Sequence, residues 1–133
     1  MSTSVVYYSG ELRTESTHLQ SGETYITDAP TDNEGKGEAF SPTDLIATGL
    51  ANCMLTIMGI VARKKSLTIE GTKAEVTKIM GKDPRRIGEI KIDFFFSRSY
   101  DEDSKKLLQH AALNCPVAKS LADNLTQTIN FHY

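Results

Sequence analysis

The sequence predicts an α+β protein, in which antiparallel sheets pack on one long buried central helix. Three observations predict this class. Segments with strand character are grouped before and after the helices instead of alternating strictly with them, which is typical of α+β proteins. An 18-residue segment between Asp44 and Arg63 carries no charge, as expected of a buried helix. Residues 87–98 alternate between apolar and polar side chains, which indicates a strand with one buried face.

The length and composition predict one globular domain, residues 1–133, which can bury a core without disulfides or metals. The net charge of −2, with 39% hydrophobic and 24% charged residues, gives no reason to expect a nucleic acid or a membrane as partner. Residues 1–12 lack the basic start and apolar run of a signal peptide, so the expected location is cytoplasmic. There, two distant cysteines are expected to be reduced or to cycle rather than to form a permanent cross-link.

The N-terminal segment is predicted to form three strands separated by turns at Ser9-Gly10 and at Gln20–Gly22. The predicted strands are 5–8, 11–19 and 23–29. Residues 30–41 (PTDNEGKGEAFS) are predicted to form a polar, glycine-rich loop capable of movement.

The long helix has a clear predicted start. Ser41 is a favourable N-cap, and Pro42 suits the first helical position because an N–H is not needed there. Asp44 follows three residues after the cap, where a carboxylate complements the helix dipole and can complete a capping box. Basic residues at 63–65 favour the other end, so the helix is predicted over 42–65.

A membrane span is the alternative interpretation of this helix, because its charge-free length approaches that of a span. Thr48, Asn52 and Thr56, however, would draw a polar line along one side, and Gly49 and Gly59 interrupt the segment. The buried central helix is therefore the preferred interpretation.

The second half of the chain is predicted to add strands at 67–80 and 87–98, a helix capped by Ser99 and Glu102, a break at Pro116, a short helix over 116–123 and a strand over 126–133. The apolar side chains of the second of these strands are Ile90, Ile92, Phe94 and Phe96.

The two cysteines are the first candidates for chemistry, because a thiolate is a strong nucleophile when a cation or a helix N-terminus stabilises it. Cys115 precedes Pro116 and is predicted to cap the short helix, whereas Cys53 lies in the middle of the long helix. The residues alone leave two interpretations open: a working thiol pair, or two unrelated core cysteines.

Other polar residues carry weaker signals. His18, His110 and His132 show no zinc-ligand spacing with the cysteines, and a Cys–His hydrolase would need contacts that the sequence does not reveal. Arg13 is most simply a strand cation paired with neighbouring glutamates, and Asp44 a helix-capping acid. The GKG of the 30–41 loop lacks the features of a phosphate-binding loop.

Two motifs resemble those of the OsmC/Ohr proteins. FSPTDLIATGLANCM is similar to the family's first cysteine motif and LNCPVAKSL to its second, and the predicted order of elements also fits. The resemblance implies an intertwined homodimer with active sites at the subunit interface, and a thiol-dependent peroxidase that reduces organic hydroperoxides without a bound cofactor or metal. It further implies that an external dithiol is the reductant.

The resemblance also implies residue roles. Cys53 corresponds to the peroxidatic cysteine, Cys115 to the resolving cysteine that forms a disulfide with it, and Arg13 to the cation that holds the thiolate. The family's acidic partner of that arginine lies near the start of the long helix. Thr43 occupies the position of a glutamate in the hydroperoxide-resistance branch, and Asp44 is the expected substitute, so the chain is more similar to the general OsmC-like branch.

Two expectations remain in competition. The helix N-terminus at Cys115 favours that cysteine as the lower-pKa thiol, whereas the resemblance assigns the reactive thiolate to Cys53. The alternative function is a non-enzymatic dimer that binds a small apolar ligand or senses redox state.

Overall fold

The computed structural model describes all 133 residues, which fold as two compact units, Met1–Leu45 and Ile46–Tyr133. The elements, in chain order, are β1 Ser4–Gly10, β2 Arg13–His18, β3 Thr24–Asp28, α1 Pro42–Lys64, β4 Lys73–Gly81, β5 Arg86–Phe95, α2 Glu102–Leu113, α3 Pro116–Ser120 and β6 Thr126–His132. A short 3-10 helix, Thr31–Asn33, lies in the loop before α1. The α+β class is confirmed.

The first unit contains an antiparallel sheet in the order β1-β2-β3. A tight turn joins β1 to β2, and Gly10, Glu11 and Leu12 all have positive φ there. The predicted three-strand pattern is confirmed, but β1 extends through the predicted turn at Ser9-Gly10, whereas β2 and β3 are shorter than predicted.

The helix start is as predicted. Ser41 Oγ accepts the N–H of Asp44 at 3.1 Å, and Asp44 Oδ2 accepts the N–H of Ser41 at 3.0 Å. This reciprocal capping satisfies two N–H groups at the N-terminus of α1. The helix ends at Lys64, one residue before the predicted end.

The second unit contains a sheet in the order β4-β5-β6, and this sheet corrects one prediction. β4 and β5 are antiparallel, but β5 and β6 are parallel, with Ile92 opposite Ile129 and Phe94 opposite Phe131. Residues 96–125, including α2 and α3, connect β5 to β6, and a connection of this length can return the chain in the same direction. The sheet is therefore mixed, not antiparallel.

Four element boundaries in this unit also differ from prediction by more than one residue. β5 ends at Phe95 instead of residue 98, so Phe96 lies outside the strand. β4 begins at Lys73 instead of residue 67. The residues before it form a turn, in which the Thr72 N–H donates to the Ile69 carbonyl and Gly71 has a φ of 87°. The N-cap of α2 is Asp101, whose side chain accepts the Ser104 N–H, rather than Ser99. The short helix α3 ends at Ser120, before the predicted residue 123.

The hydrophobic core of the second unit lies between α1, α2, α3 and the sheet. Ile90, Ile92 and Phe94 of β5 are fully buried, as the alternation predicts. The buried residues of α1 recur at intervals of three and four along one face: Ala47, Leu50, Ala51, Met54, Met58 and Ala62. By length and composition α1 is apolar enough to span a membrane, but these residues make it a core helix of its unit.

The prediction that α1 is buried on nearly every side holds for one face only. Asn52, Thr56 and Ile60 remain exposed in the single chain, as does Ile46. The apolar residues of this second face, Ile46 and Ile60, can therefore pack against another surface.

Candidate active site

The two thiols, 62 positions apart in sequence, lie beside each other in the second unit. Cys53 is a partly buried residue of α1 that packs against the core, and Cys115 is a member of that core with no exposed surface. The side chain of Cys53 lies close enough to affect the pKa of Cys115, and both cysteines are free thiols. A pair in this arrangement can interconvert between two thiols and a disulfide.

The local sequence explains how Cys115 is held. A residue before proline is restricted to extended conformations, and Cys115 has φ −69° and ψ 152°. This is the conformation of an N-cap, so α3 begins at Pro116 and the Ala118 N–H donates to Cys115 Sγ at 3.4 Å.

Burial raises the pKa of the Cys115 thiol above its ordinary value, and the hydrogen bond and charge of Cys53 raise this pKa further. The N–H groups of Ala118 and Val117 lower it, but they do not reverse the shift. At Cys115, burial therefore outweighs the helix N-terminus, which the sequence predicts to lower its pKa. The raised pKa favours the protonated form of Cys115, which carries an S–H.

Arg13 belongs to the first unit, where it forms a two-point ion pair with Asp28. Arg13 Nε lies 2.7 Å from Asp28 Oδ1, and Nη2 lies 2.8 Å from Oδ2. The two residues are opposite each other in the β2–β3 register. The hydrogen bonds from Arg13 hold the pKa of the Asp28 carboxyl below its usual range, and the same bonds raise the pKa of Arg13. Arg13 is therefore a fixed, permanently charged group.

The loop between β3 and α1 is tied to this ion pair. The Glu38 N–H donates to Asp28 Oδ2 at 3.1 Å, and Glu38 Oε1 lies 3.4 Å from Arg13 Nη2. The Asp28 N–H donates to the Phe40 carbonyl at 3.1 Å. The loop at residues 30–41, which the sequence predicts to be capable of movement, is thus hydrogen-bonded through Glu38 and Phe40 to Asp28, whose carboxylate is buried.

The glycines of this loop have a packing role. A Cβ on Gly35 would collide with the backbone of Ala29, and Gly37 has a φ of 63°, a conformation that favours glycine. The two glycines of the GKG sequence are therefore explained by the close approach of Gly35 to the backbone of Ala29 and by the positive φ of Gly37.

Asp28 is the residue that the sequence interpretation missed. The sequence assigned the acidic partner of Arg13 to Asp44, but the partner of both Arg13 nitrogens in the first unit is Asp28. The sequence did not reveal this partner, because the predicted strands and the predicted turn at Gln20–Gly22 would place position 13 opposite position 29, whereas the structure places Arg13 opposite Asp28. Asp44 caps α1, and its proposed catalytic role stays a prediction.

The histidines bond to other partners within their units. His18 Nδ1 lies 2.6 Å from Ser21 Oγ, His110 contacts Asn114 on α2, and His132 Nε2 lies 3.0 Å from Asp93 Oδ1. Asp93 also accepts a hydrogen bond from Asn130. These contacts give the histidines structural roles in a turn, a helix and a sheet surface.

Comparison with known proteins gives consistent results. The sequence profile of a family described as OsmC-like protein matches residues 35–130. A Psychrobacter arcticus protein, described as an osmotic stress induced and detoxification response protein, is 55% identical in sequence, with a TM-score of 0.96 over 99% of this chain and 96% of that chain. No protein of curated function matches the sequence.

Two more distant structures share the fold. One is an organic hydroperoxide resistance protein OsmC from Legionella pneumophila, 15% identical, with a TM-score of 0.78 over 100% of this chain and 98% of that chain. The other is the organic hydroperoxide resistance protein OhrB of Bacillus subtilis, 19% identical, with a TM-score of 0.69 over 97% of each chain.

Proposed function

Because this chain belongs to the family of OsmC-like proteins, we propose that it is a thiol-dependent peroxidase, which reduces organic hydroperoxides to alcohols. The observation that carries the proposal is the contact between Cys53 and Cys115. The described roles of the similar proteins, detoxification and organic hydroperoxide resistance, support the same substrate class.

The proposed reaction uses the two thiols in sequence. The Cys53 thiolate attacks one peroxide oxygen, the O–O bond breaks, and the alkoxide takes up a proton and leaves as the alcohol. Cys53 is then a sulfenic acid, which Cys115 attacks through its sulfur, so that water leaves and a disulfide forms. An external dithiol restores both thiols by exchange, and no cofactor or metal takes part in this scheme.

The different environments of the two thiols support this division of roles. Cys115 is buried and its raised pKa keeps it protonated near neutral pH, so it can donate its S–H to Cys53. A donated hydrogen bond stabilises a neighbouring thiolate. Cys53, which is partly exposed on α1, is therefore the sulfur that meets the peroxide. Apolar neighbours such as Met54 and Ile57 favour an alkyl hydroperoxide over hydrogen peroxide.

A mass measurement after one equivalent of cumene hydroperoxide tests the proposal. The enzyme is expected to lose two hydrogen atoms as the Cys53–Cys115 disulfide forms, and to regain them with a dithiol. Binding of cumene hydroperoxide without a change in mass would instead favour the non-enzymatic ligand-binding dimer. No binding and no reaction would mean that the cysteines are only core residues.

The proposed role of Arg13 is to favour the thiolate of Cys53. Arg13→Ala is expected to slow iodoacetamide alkylation of Cys53 at pH 7 by on the order of tenfold, because a smaller fraction of the thiol is then ionised. The measurement uses a Cys115→Ser background, so that Cys53 is the only thiol that iodoacetamide can alkylate.

The matched control is Arg63→Ala, which removes the same charge from an exposed position on α1. This control is expected to leave the alkylation rate of Cys53 within about twofold of the parent, since screened surface charges at a distance act weakly. Equal rates for Arg13→Ala and the parent would show that another group stabilises the thiolate.

The proposed enzyme is a homodimer with its active sites at the subunit interface. The single chain exposes many large apolar side chains, which are rare as extended patches on monomers. They are most exposed on β1, where Val6 is 58%, Tyr7 71% and Tyr8 68% exposed.

Light scattering coupled to size-exclusion chromatography is expected to give twice the monomer mass of 14.7 kDa at micromolar concentration. A charge in the patch, as in Val6→Asp, is expected to shift the mass toward the monomer. A monomeric parent protein would contradict the proposed assembly.

A further inference from the structure

We propose that the external thiol reductant attacks the sulfur of Cys53 in the oxidised protein, and that Cys115 is the leaving group. The inference rests on the proposed function only for its place in the catalytic cycle, because the same disulfide can be made without a peroxide. It is carried by the unequal access of solvent to two adjacent sulfurs.

Access decides which sulfur an incoming thiolate reaches. Thiol–disulfide exchange depends on which sulfur is attacked and on access to it. Cys115 has no exposed surface and lies in the core with Phe94 and Leu108. Attack on Cys115 would therefore require an external thiol to enter the packed interior, which has no room for one.

The direction of attack gives the same answer. An incoming thiolate approaches a disulfide sulfur from the side opposite the bond that breaks. Cys115 has no exposed surface and Cys53 is partly exposed, so the accessible side of Cys53 is where α1 meets solvent. The neighbouring residues Asn52 and Thr56 of α1 are exposed. This approach needs no opening of the core.

The backbone around Cys115 suits a leaving group. As the Cys53–Cys115 bond breaks, negative charge develops on Cys115 Sγ, which already accepts the Ala118 N–H at 3.4 Å. The Ala118 and Val117 N–H groups both favour the charged form of this sulfur. The thiolate then takes up a proton, because burial raises its pKa above that of an ordinary thiol.

The electrons balance over two exchanges. The first thiolate of the dithiol bonds to Cys53 and releases Cys115. The second sulfur of the dithiol attacks the first, which releases Cys53 and leaves the dithiol oxidised as a cyclic disulfide. The protein gains two electrons and two protons, and the dithiol loses them.

The test starts from a disulfide made with diamide in the full-length wild-type protein. The oxidised protein is mixed with excess 2-mercaptoethanol, a small neutral monothiol, and is quenched in acid after short intervals. Peptic peptides, prepared at low pH to prevent exchange, are then analysed by mass. Extrapolated to zero time, the adduct on Cys53 is expected to exceed that on Cys115 by at least about tenfold. An adduct mainly on Cys115, or an equal distribution, overturns the proposal.

A second measurement uses the reduced protein and does not require the mixed disulfide with 2-mercaptoethanol to be trapped. The reagent 5,5′-dithiobis(2-nitrobenzoate) is added to Cys115→Ser, which leaves Cys53, and to Cys53→Ser, which leaves Cys115. The native Cys115→Ser protein is expected to react at least about tenfold faster, and denaturant is expected to remove the difference. Equal rates in the native proteins overturn the proposal.

The failure of this inference can be distinguished from failure of the proposed function. If diamide forms the disulfide and cumene hydroperoxide does not, the peroxidase proposal fails and the order of reduction can still be measured. If both oxidants form the disulfide and the adduct is found on Cys115, only the present inference fails.

Discussion

Replacement of Cys53 with serine is expected to lower the rate of cumene hydroperoxide reduction by about a thousandfold or more, because it removes the attacking nucleophile. A serine hydroxyl is not ionised near neutral pH, and its oxygen does not form the sulfenic acid on which the cycle depends. The measurement is peroxide consumption with a dithiol present. A Cys53→Ser protein with more than a tenth of the parent rate would contradict the assignment of Cys53.

Cys115→Ser is the matched control for this experiment, because it removes the other thiol of the pair by the same substitution. In the absence of a dithiol it is expected to permit one turnover and then to stop, because the Cys53 sulfenic acid then has no internal or external thiol with which to condense. With excess peroxide, Cys53 is expected to gain a second oxygen and become the sulfinic acid. Mass analysis of the Cys53 peptide detects this product, and its absence would show that Cys115 does not protect Cys53.

Phe94→Ala is expected to lower the free energy of unfolding by about 3–5 kcal/mol, the usual cost of removing a buried phenylalanine. Phe94 is fully buried in β5, and its ring stacks on Phe131 of β6 at a centroid distance of 5.6 Å. The urea midpoint is expected to fall by about 1.5–2.5 M, for a slope of about 2 kcal/mol per molar urea. A fall of less than 0.5 M would show that the packing around Phe94 is not as tight as the structure indicates.

Phe95→Ala is the control, since Phe95 is the next residue of β5 and points to the opposite face of the sheet. Phe95 is 37% exposed and contacts only His132 and Lys73 through its ring. Its replacement is expected to cost about 1 kcal/mol, because less apolar surface returns to water. Equal losses for the two variants would contradict the predicted orientation of the strand.

Much of the local structure could be predicted from the sequence, because caps and periodicity act over a few residues. The reciprocal capping of Ser41 and Asp44, the N-cap position of Cys115 and the buried face of β5 were all predicted, and all are present. The motifs around Cys53 and Cys115 also identified the OsmC-like family, which the comparisons confirm.

Contacts between distant segments were harder to predict. The parallel pairing of β5 with β6 depends on the route of a long connection, and alternation along a strand does not report strand direction. The ion pair of Arg13 with Asp28 depends on the register of two strands, which a prediction limited to strand boundaries does not supply. In the first unit Arg13 is paired with Asp28, and the expected pairing of Arg13 with Asp44 stays a prediction.

The amino-acid sequence by itself determined the order of the elements, the starts of α1 and α3 and the family, because these depend on neighbouring residues and on short motifs. The tertiary structure alone decided the burial of the two thiols and the direction in which the pKa of Cys115 shifts. By its local position, Cys115 has a helix N-terminus that lowers its pKa, but burial in the core outweighs this effect and raises it. Burial depends on what the rest of the chain places around a residue, and a short motif does not contain that information.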